Sequence, residues 1–222
     1  MIKIQNYNKE KQKLSFNIDI PLNLANALRR SALEIPVMAI EEVELIKNDS
    51  ALFDEILAHR IGLIPIKTDK VSTKTLQFRL KKKGPCTIYS TDLEPSVGTN
   101  LKLPLVILAE DQELELNAYA KLGKGVEHLK HSPGLIYYKH NLEDELLRWI
   151  IINPDGELII DEKELKEKEV DEEIIKKLKK IEKLTEINFN IESWGQIEVK
   201  DIFTKAIEEL NKNLDKLNKT IK

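Results

Sequence analysis

Toward its C-terminal end the chain places Phe203, Ile207, Leu210, Leu214, Leu217 and Ile221 at intervals of 4, 3, 4, 3 and 4 residues. That spacing returns to one side of an α-helix and draws a narrow apolar seam, which an opposing surface must cover. The cover is either this chain's own sheet or a second subunit, and both readings are open from spacing alone. A shorter helix is expected at residues 22–34, where Leu24, Ala25, Leu28, Ala32 and Leu33 recur at helical spacing between Pro21 and Pro36. Proline suits the start of a helix, and the residue before proline avoids helical angles, so Pro36 forces an end.

Between these helices the pattern is mostly that of strands. Leu14, Phe16, Ile18 and Ile20 alternate with Ser15, Asn17 and Asp19, the period of a strand with one buried face, and Ile2 and Ile4 complete a hairpin. Residues 37–47 resume strand character. Asn48, Asp49 and Ser50 then offer capping side chains for a second helix bearing Leu52, Phe53, Ile56, Leu57 and Ile61, which Gly62 and Pro65 stop. Leu76, Phe78 and Leu80 alternate, Leu103 to Leu108 is a short apolar run, and Leu114, Leu116 and Ala118 alternate again. Asn153-Pro154-Asp155-Gly156 signals a turn before a short strand at 157–160. An amphipathic, solvated helix follows on Val170, Ile174, Leu178 and Ile181, with acids at its start and lysines toward its end. A strand at 186–192 precedes the seam helix.

Composition narrows the chemistry. The 35 basic and 38 acidic side chains leave a net charge of −3, too balanced for a general phosphate-binding surface, so contact with DNA is expected only indirectly. The single cysteine, Cys86, excludes an internal disulfide framework, an all-cysteine zinc site and a cysteine-ligated iron–sulfur cluster within this chain, and fits a reducing, cytoplasmic compartment. No export signal and no run of about 18 apolar residues is readable, so no membrane contact is expected. There is no phosphate-loop motif, no dinucleotide fingerprint and no Asp-x-Asp-x-Asp cluster for magnesium. His128 and His131 are the only close histidine pair, and without further fixed ligands they are expected to be ordinary polar loop residues rather than a metal site. Asp54 and Glu55 lie about 100° apart on a helix and form no acid–base pair. Catalytic residues and metal ligands are accordingly expected to be absent. Arg29 and Arg30 suit a helix C-terminus as exposed cations, and suit equally an interface where their planar forks hold carboxylate or carbonyl oxygens.

Three segments together resemble a known family. Asn23 to Asp69, NLANALRRSALEIPVMAIEEVELIKNDSALFDEILAHRIGLIPIKTD, contains an Asn-x-x-x-x-Ala/Leu-Arg-Arg helix, a PVMAIEEV strand and an NDSALFDEILAHRIGLIP helix. Leu103 to Pro133 adds PLVIL and LGKGVEHLKHSP, and the closing stretch reads FNIESWGQIEVKDIFTKAIEELNKNLDKL. In this order they resemble the archaeal D-type family of DNA-directed RNA polymerase subunits, relatives of the bacterial alpha subunit and the eukaryotic third-largest subunit. The resemblance implies an α+β fold with an alpha-like dimerisation domain formed from both chain ends, residues 1–47 and 186–222, and a strand-rich insert domain at 48–140. It further implies a non-catalytic assembly subunit that heterodimerises with subunit L and forms a platform for subunits N and P and the second-largest subunit. Carried over by position, Arg29, Arg30, Asp54, Glu55, His59 and Arg60 would face the second-largest subunit, and Phe203, Ile207, Leu210, Leu214 and Leu217 would contact subunit L. Many members carry a ferredoxin-like third domain with cysteine-ligated clusters. Here residues 141–185 contain no cysteine, so that region is expected to be a reduced remnant without a cofactor.

Overall fold

The computed structural model describes residues 2–68, 75–141, 146, 148–152, 158–160, 165, 170–179 and 186–221. In chain order the elements are β1 (Lys3–Asn8), β2 (Lys13–Asp19), α1 (Leu22–Ser31), β3 (Val37–Asn48) and α2 (Asp54–Gly62). There follow β4 (Leu76–Lys83), β5 (Cys86–Tyr89), β6 (Pro104–Leu108), β7 (Glu113–Gly123) and β8 (Gly134–His140). The remainder comprises β9 (Ile151–Ile152), β10 (Leu158–Ile159), α3 (Glu172–Lys179), β11 (Glu186–Ser193) and α4 (Val199–Ile221). The fold is α+β, with every strand pairing antiparallel.

The first sheet has the order β1-β2-β11-β8 and brings the two ends of the chain together. Phe189 on β11 faces Phe16 on β2 and Tyr138 on β8, so the inward residues of three strands register in one row. The expected alternation of β2 is the cause: Leu14 and Phe16 point into the core. Helix α1 covers this face with Ala25, joined by Ala32 just after it, and α4 packs across α1 with Val199, Ile202 and Ala206 buried. Small residues on both helices allow the close approach. The opposite face carries hydrogen-bonded amides, with Asn188 Nδ2 donating to Asn17 Oδ1 at 2.7 Å and Asn190 Nδ2 to Asn188 Oδ1 at 2.7 Å.

A second sheet has the order β3-β7-β4, with the β5–β6 hairpin and α2 completing its core. Leu114, Leu116, Ala118 and Ala120 alternate inward along β7 against Met38, Ile40, Phe78, Leu80, Leu57 and Ile61.

The sheets divide the chain differently from the expected boundaries at residues 47 and 140. Strand β3 pairs along its whole length with β7 in the second sheet, whereas β8 joins the sheet of the chain ends. The physical reason lies at the start of β3, which serves both cores at once: Val37 is buried with Phe16 and Phe189, while Met38 and Ile40 are buried with Leu57 and Phe78. The capping expectation at Asn48-Asp49-Ser50 also fails. Helix α2 begins only at Asp54 and no side chain caps it. Asn48 instead closes the turn leaving β3, accepting at Oδ1 from the Ser50 N–H (3.1 Å) and donating to the Leu52 carbonyl (2.9 Å).

Within 141–185 the described residues form a third, small apolar cluster of Leu146, Ile150, Leu165 and Leu178, with Trp149 and Ile174 packed against it. Helix α3 is thus amphipathic, as its spacing implies, and is seated on this cluster by Leu178. The expected turn at 153–156 and Ile181 lie outside the described residues.

Candidate assembly interfaces

Helix α4 has 23 residues and is about 35 Å long, longer than the face that covers it. Its first turns are fixed in this chain. Val199, Ile202 and Ala206 are buried, and the Phe203 ring meets Phe16 edge-on at a centroid distance of 4.8 Å and Phe189 at 5.6 Å. Phe203 therefore belongs first to the chain's own aromatic core, because it lies beside Ile202 and three residues before Ala206 on the buried stripe. Farther along, Asn213 Nδ2 donates to Glu34 Oε2 at 3.0 Å, the last side-chain tie from α4 to the α1 end among the described residues. Beyond it Leu214, Leu217 and Ile221 are 54%, 57% and 77% exposed. Ile207 is exposed and Leu210 half-buried. The seam expected from spacing is thus covered at its root and open over its last two turns.

The arginine pair lies in the last turn of α1, where the helix dipole favours cations. Arg29 is half-buried and its fork holds Asn26 Oδ1, from Nε at 3.3 Å and from Nη2 at 3.0 Å. Arg30 is exposed, with no hydrogen-bond or ion-pair partner among the described residues. Helix α2 belongs to the other core, so the two groups expected to face one partner are positioned by different sheets. Asp54, Glu55, His59 and Arg60 are exposed on α2. Asp54 accepts from Asn48 Nδ2 at 2.7 Å, and Arg60 donates to the Pro104 carbonyl at 2.8 Å, so Arg60 clamps α2 to β6 within this chain.

Helical spacing places Phe53 and Ile56 with the apolar residues of the second helix. Phe53 is instead 79% exposed, and Ile56 and Leu63 are open as well. The signal lies in the register: Leu57 and Ile61 define the buried side, and Ile56 points about 100° away from Leu57. Three large apolar side chains are thus open along α2 and its two flanking residues, on the helix that carries His59.

The LGKGVEHLKHSP segment ties the two cores together. His131 is buried, and its Nδ1 lies 2.8 Å from the Val37 carbonyl. It is not the ordinary polar loop residue expected, because a Cβ on Gly123 would come within 2.5 Å of its ring, and only glycine admits the imidazole there. Lys130 Nζ meets Glu41 at 2.6 Å and, as hydrogen-bond donor to it, holds the Glu41 carboxyl below its usual range. His128 Nδ1 accepts from the Lys130 N–H at 3.2 Å. The loop amide of Val126 donates to the Leu33 carbonyl at 3.2 Å. Among the described residues no group of three or more His, Cys, Asp and Glu side chains is placed to hold a metal ion, and no helix is long and apolar enough to cross a membrane.

Residues 16–214 match the RNA polymerase Rpb3/Rpb11 dimerisation domain. The chain belongs to this family. Within the Rpb3/Rpb11 family it is similar to DNA-directed RNA polymerase subunit Rpo3 of Thermococcus kodakarensis, 42% identical over 178 residues that cover 71% of this chain and 66% of that one. The Pyrococcus furiosus Rpo3 is 42% identical over 154 residues, covering 63% and 59%. The Natronomonas pharaonis Rpo3 is 31% identical over 224 residues, 89% of this chain and 88% of that one. The chain thus spans less than two thirds of the Thermococcus and Pyrococcus relatives it matches. The family's matched region runs from within β2 to Leu214 and contains α1 and the part of α4 that covers the first sheet.

Proposed function

We propose that this chain is a non-catalytic assembly subunit of an archaeal DNA-directed RNA polymerase in the cytoplasm. It contributes no catalytic residues, and it heterodimerises with the small subunit L. One observation carries this reading: the last two turns of α4 present Leu214, Leu217 and Ile221 to water, with no cover among the described residues. An isolated helix end of that length frays in water, and a partner helix gives it a reason to persist. Ile207 and Leu210 extend the contact toward the helix root, where Phe203 supports it from the core. The relatives named Rpo3 agree with a polymerase role, and both chain ends meet in the first sheet as a dimerisation domain requires.

On this reading Arg29 and Arg30 with Asp54, Glu55 and His59 face the second-largest subunit, Arg60 positions α2 for that contact, and subunits N and P join the platform. The exposed Phe53, Ile56 and Leu63 favour α2 as a contact surface, since apolar residues supply most interface energy and charged rims supply orientation. Contact with DNA is indirect, through the assembled complex.

The test is co-expression with the cognate subunit L, followed by size-exclusion chromatography with mass determination. A 1:1 complex that disappears with Leu214→Asp/Leu217→Asp is the expected result. A monomer indifferent to subunit L overturns the heterodimer. A homodimer of this chain alone, disrupted by the same variant, would instead make it a self-associating scaffold that uses the same seam.

A further inference from the structure

A groove of about 660 Å³ opens where the β1–β2 turn, the chain after α2 and the loop before α4 meet, at the junction of the two cores. Such junctions are common binding sites because each side is held by a separate packed unit. The β1–β2 turn carries Lys9, Lys11 and Lys13 and is locked in place. Gln12 sits at a φ of 50°, its carbonyl accepts from the Ser193 N–H at 2.9 Å, and its Oε1 accepts from the Val199 N–H at 3.0 Å. Its Nε2 donates to the Lys9 carbonyl at 2.8 Å. On the other side, the Lys67 N–H donates to the Val97 carbonyl at 2.9 Å, and Gly98 at a φ of 76° lies against the Lys67 side chain. The lysines thus project from fixed backbone. Trp194 and Leu101, 44% and 42% exposed, open onto the same groove.

The local charge is opposite to that of the chain. Four lysines and two glutamates, Glu10 and Glu198, line the groove of a protein whose net charge is −3. Lys13 is neutralised by Glu192 at 2.8 Å, but Lys9, Lys11 and Lys67 have no ion-pair partner among the described residues. Against Glu10 and Glu198 these three lysines leave a local excess of one positive charge, set as two lysines on the β1–β2 turn and one across the groove, so it favours carboxylates placed at those lysines. A nucleic-acid strand fits poorly. No arginine fork is present, and one exposed indole offers no run of stacking surfaces. A polypeptide fits better, because the glutamates can accept its backbone N–H groups and the exposed indole can seat a side chain.

We infer that this groove docks an acidic, extended segment of another protein subunit, with one large apolar side chain seated against Trp194 and Leu101 and its carboxylates met by Lys9, Lys11 and Lys67.

The test uses polymerase reconstituted from purified subunits, with a photocrosslinking phenylalanine analogue in place of Leu101. A crosslink that peptide mass spectrometry maps to an acid-rich segment of another subunit is the expected result. With Lys9→Glu/Lys11→Glu the crosslink should fall at least about tenfold, and its yield in the unaltered protein should drop steeply with added salt. A crosslink to nucleic acid, a crosslink to a neutral or basic segment, or no crosslink to any other chain overturns the inference. So does a crosslink whose yield ignores the charge reversal. The 1:1 association with subunit L, measured on the same variants, should be unchanged, so failure of the groove and failure of the heterodimer are read separately.

Discussion

The outer face of the second sheet and the outer end of α4 meet water in opposite ways. On the sheet, charges answer one another across strands. Lys47 lies 3.0 Å from Glu113, Lys81 lies 2.7 Å from Glu115, and Lys121 lies 2.7 Å from Glu42. Those pairs hold the lysines above their usual protonation range and Glu113 below its own. At the end of α4 the apolar Leu214, Leu217 and Ile221 have nothing to answer them among the described residues. The first surface satisfies itself locally, and the second is the one the proposed heterodimer would complete. Exposed apolar area in line on one helix is the clearer signal of the two, because cross-strand pairs at a surface contribute little that can be measured.

The largest effect should come from the aromatic core of the first sheet, beneath the root of α4. Phe189→Ala removes the ring against which Phe16, Tyr138 and Phe203 pack, and should cost about 3–5 kcal/mol in chemical denaturation. Next, Leu214→Asp/Leu217→Asp should weaken heterodimer formation by about a hundredfold or more while leaving the melting temperature of the isolated chain unchanged. A matching loss in the isolated chain would erase the contrast, since it would mean that the seam is covered at home. Gly123→Ala should cost about 1–3 kcal/mol, because the added methyl meets the buried His131 ring. At the bottom of the scale, Lys81→Ala should leave thermal melting unaltered within error, the more so in high salt.

A pH dependence arises in the first sheet, at the end of β8. Burial holds the His140 imidazole below its ordinary pKa of 6.5, and its Nδ1 has no hydrogen-bond partner among the described residues. The folded state therefore takes up its proton less readily than the unfolded chain. Stability should be full above pH 6.5 and fall as pH drops below it toward the lower folded value. His140→Phe should flatten that part of the profile in urea titrations between about pH 7 and 5.

Periodic features were legible in the residues. The alternation in β2 repeats with the period of its element, so its buried side follows from arithmetic, whereas in α4 the spacing draws the seam and the side buried within the chain is the neighbouring one of Val199, Ile202 and Ala206. The division into sheets was not. Val37 and Met38 read as one apolar run, yet consecutive strand residues point to opposite faces, and here each face is a different core. Arg60 was unreadable for another reason: its carbonyl partner, on Pro104, lies 44 residues away. The Lys9 to Lys13 groove also escaped, since neither Lys67 nor Trp194 is near that turn in sequence. Phe203 shows the limit of periodicity itself, because a residue at the edge of two stripes can belong to either.

The order of strands in the first sheet, β1-β2-β11-β8, has a consequence for how the protein is made. The strand that joins β2 to β8 is β11, which emerges from the ribosome long after both. Until it arrives, two strand edges and the apolar underside of α1 wait without cover, while the second core, built from residues 38–120, can already close around a contiguous stretch of chain. Synthesis therefore passes through a half-folded nascent state with sticky edges, the kind of species that chaperones recognise. A stalled chain truncated before residue 186 should be protease-resistant over the second core and cleaved readily in β1, β2 and α1.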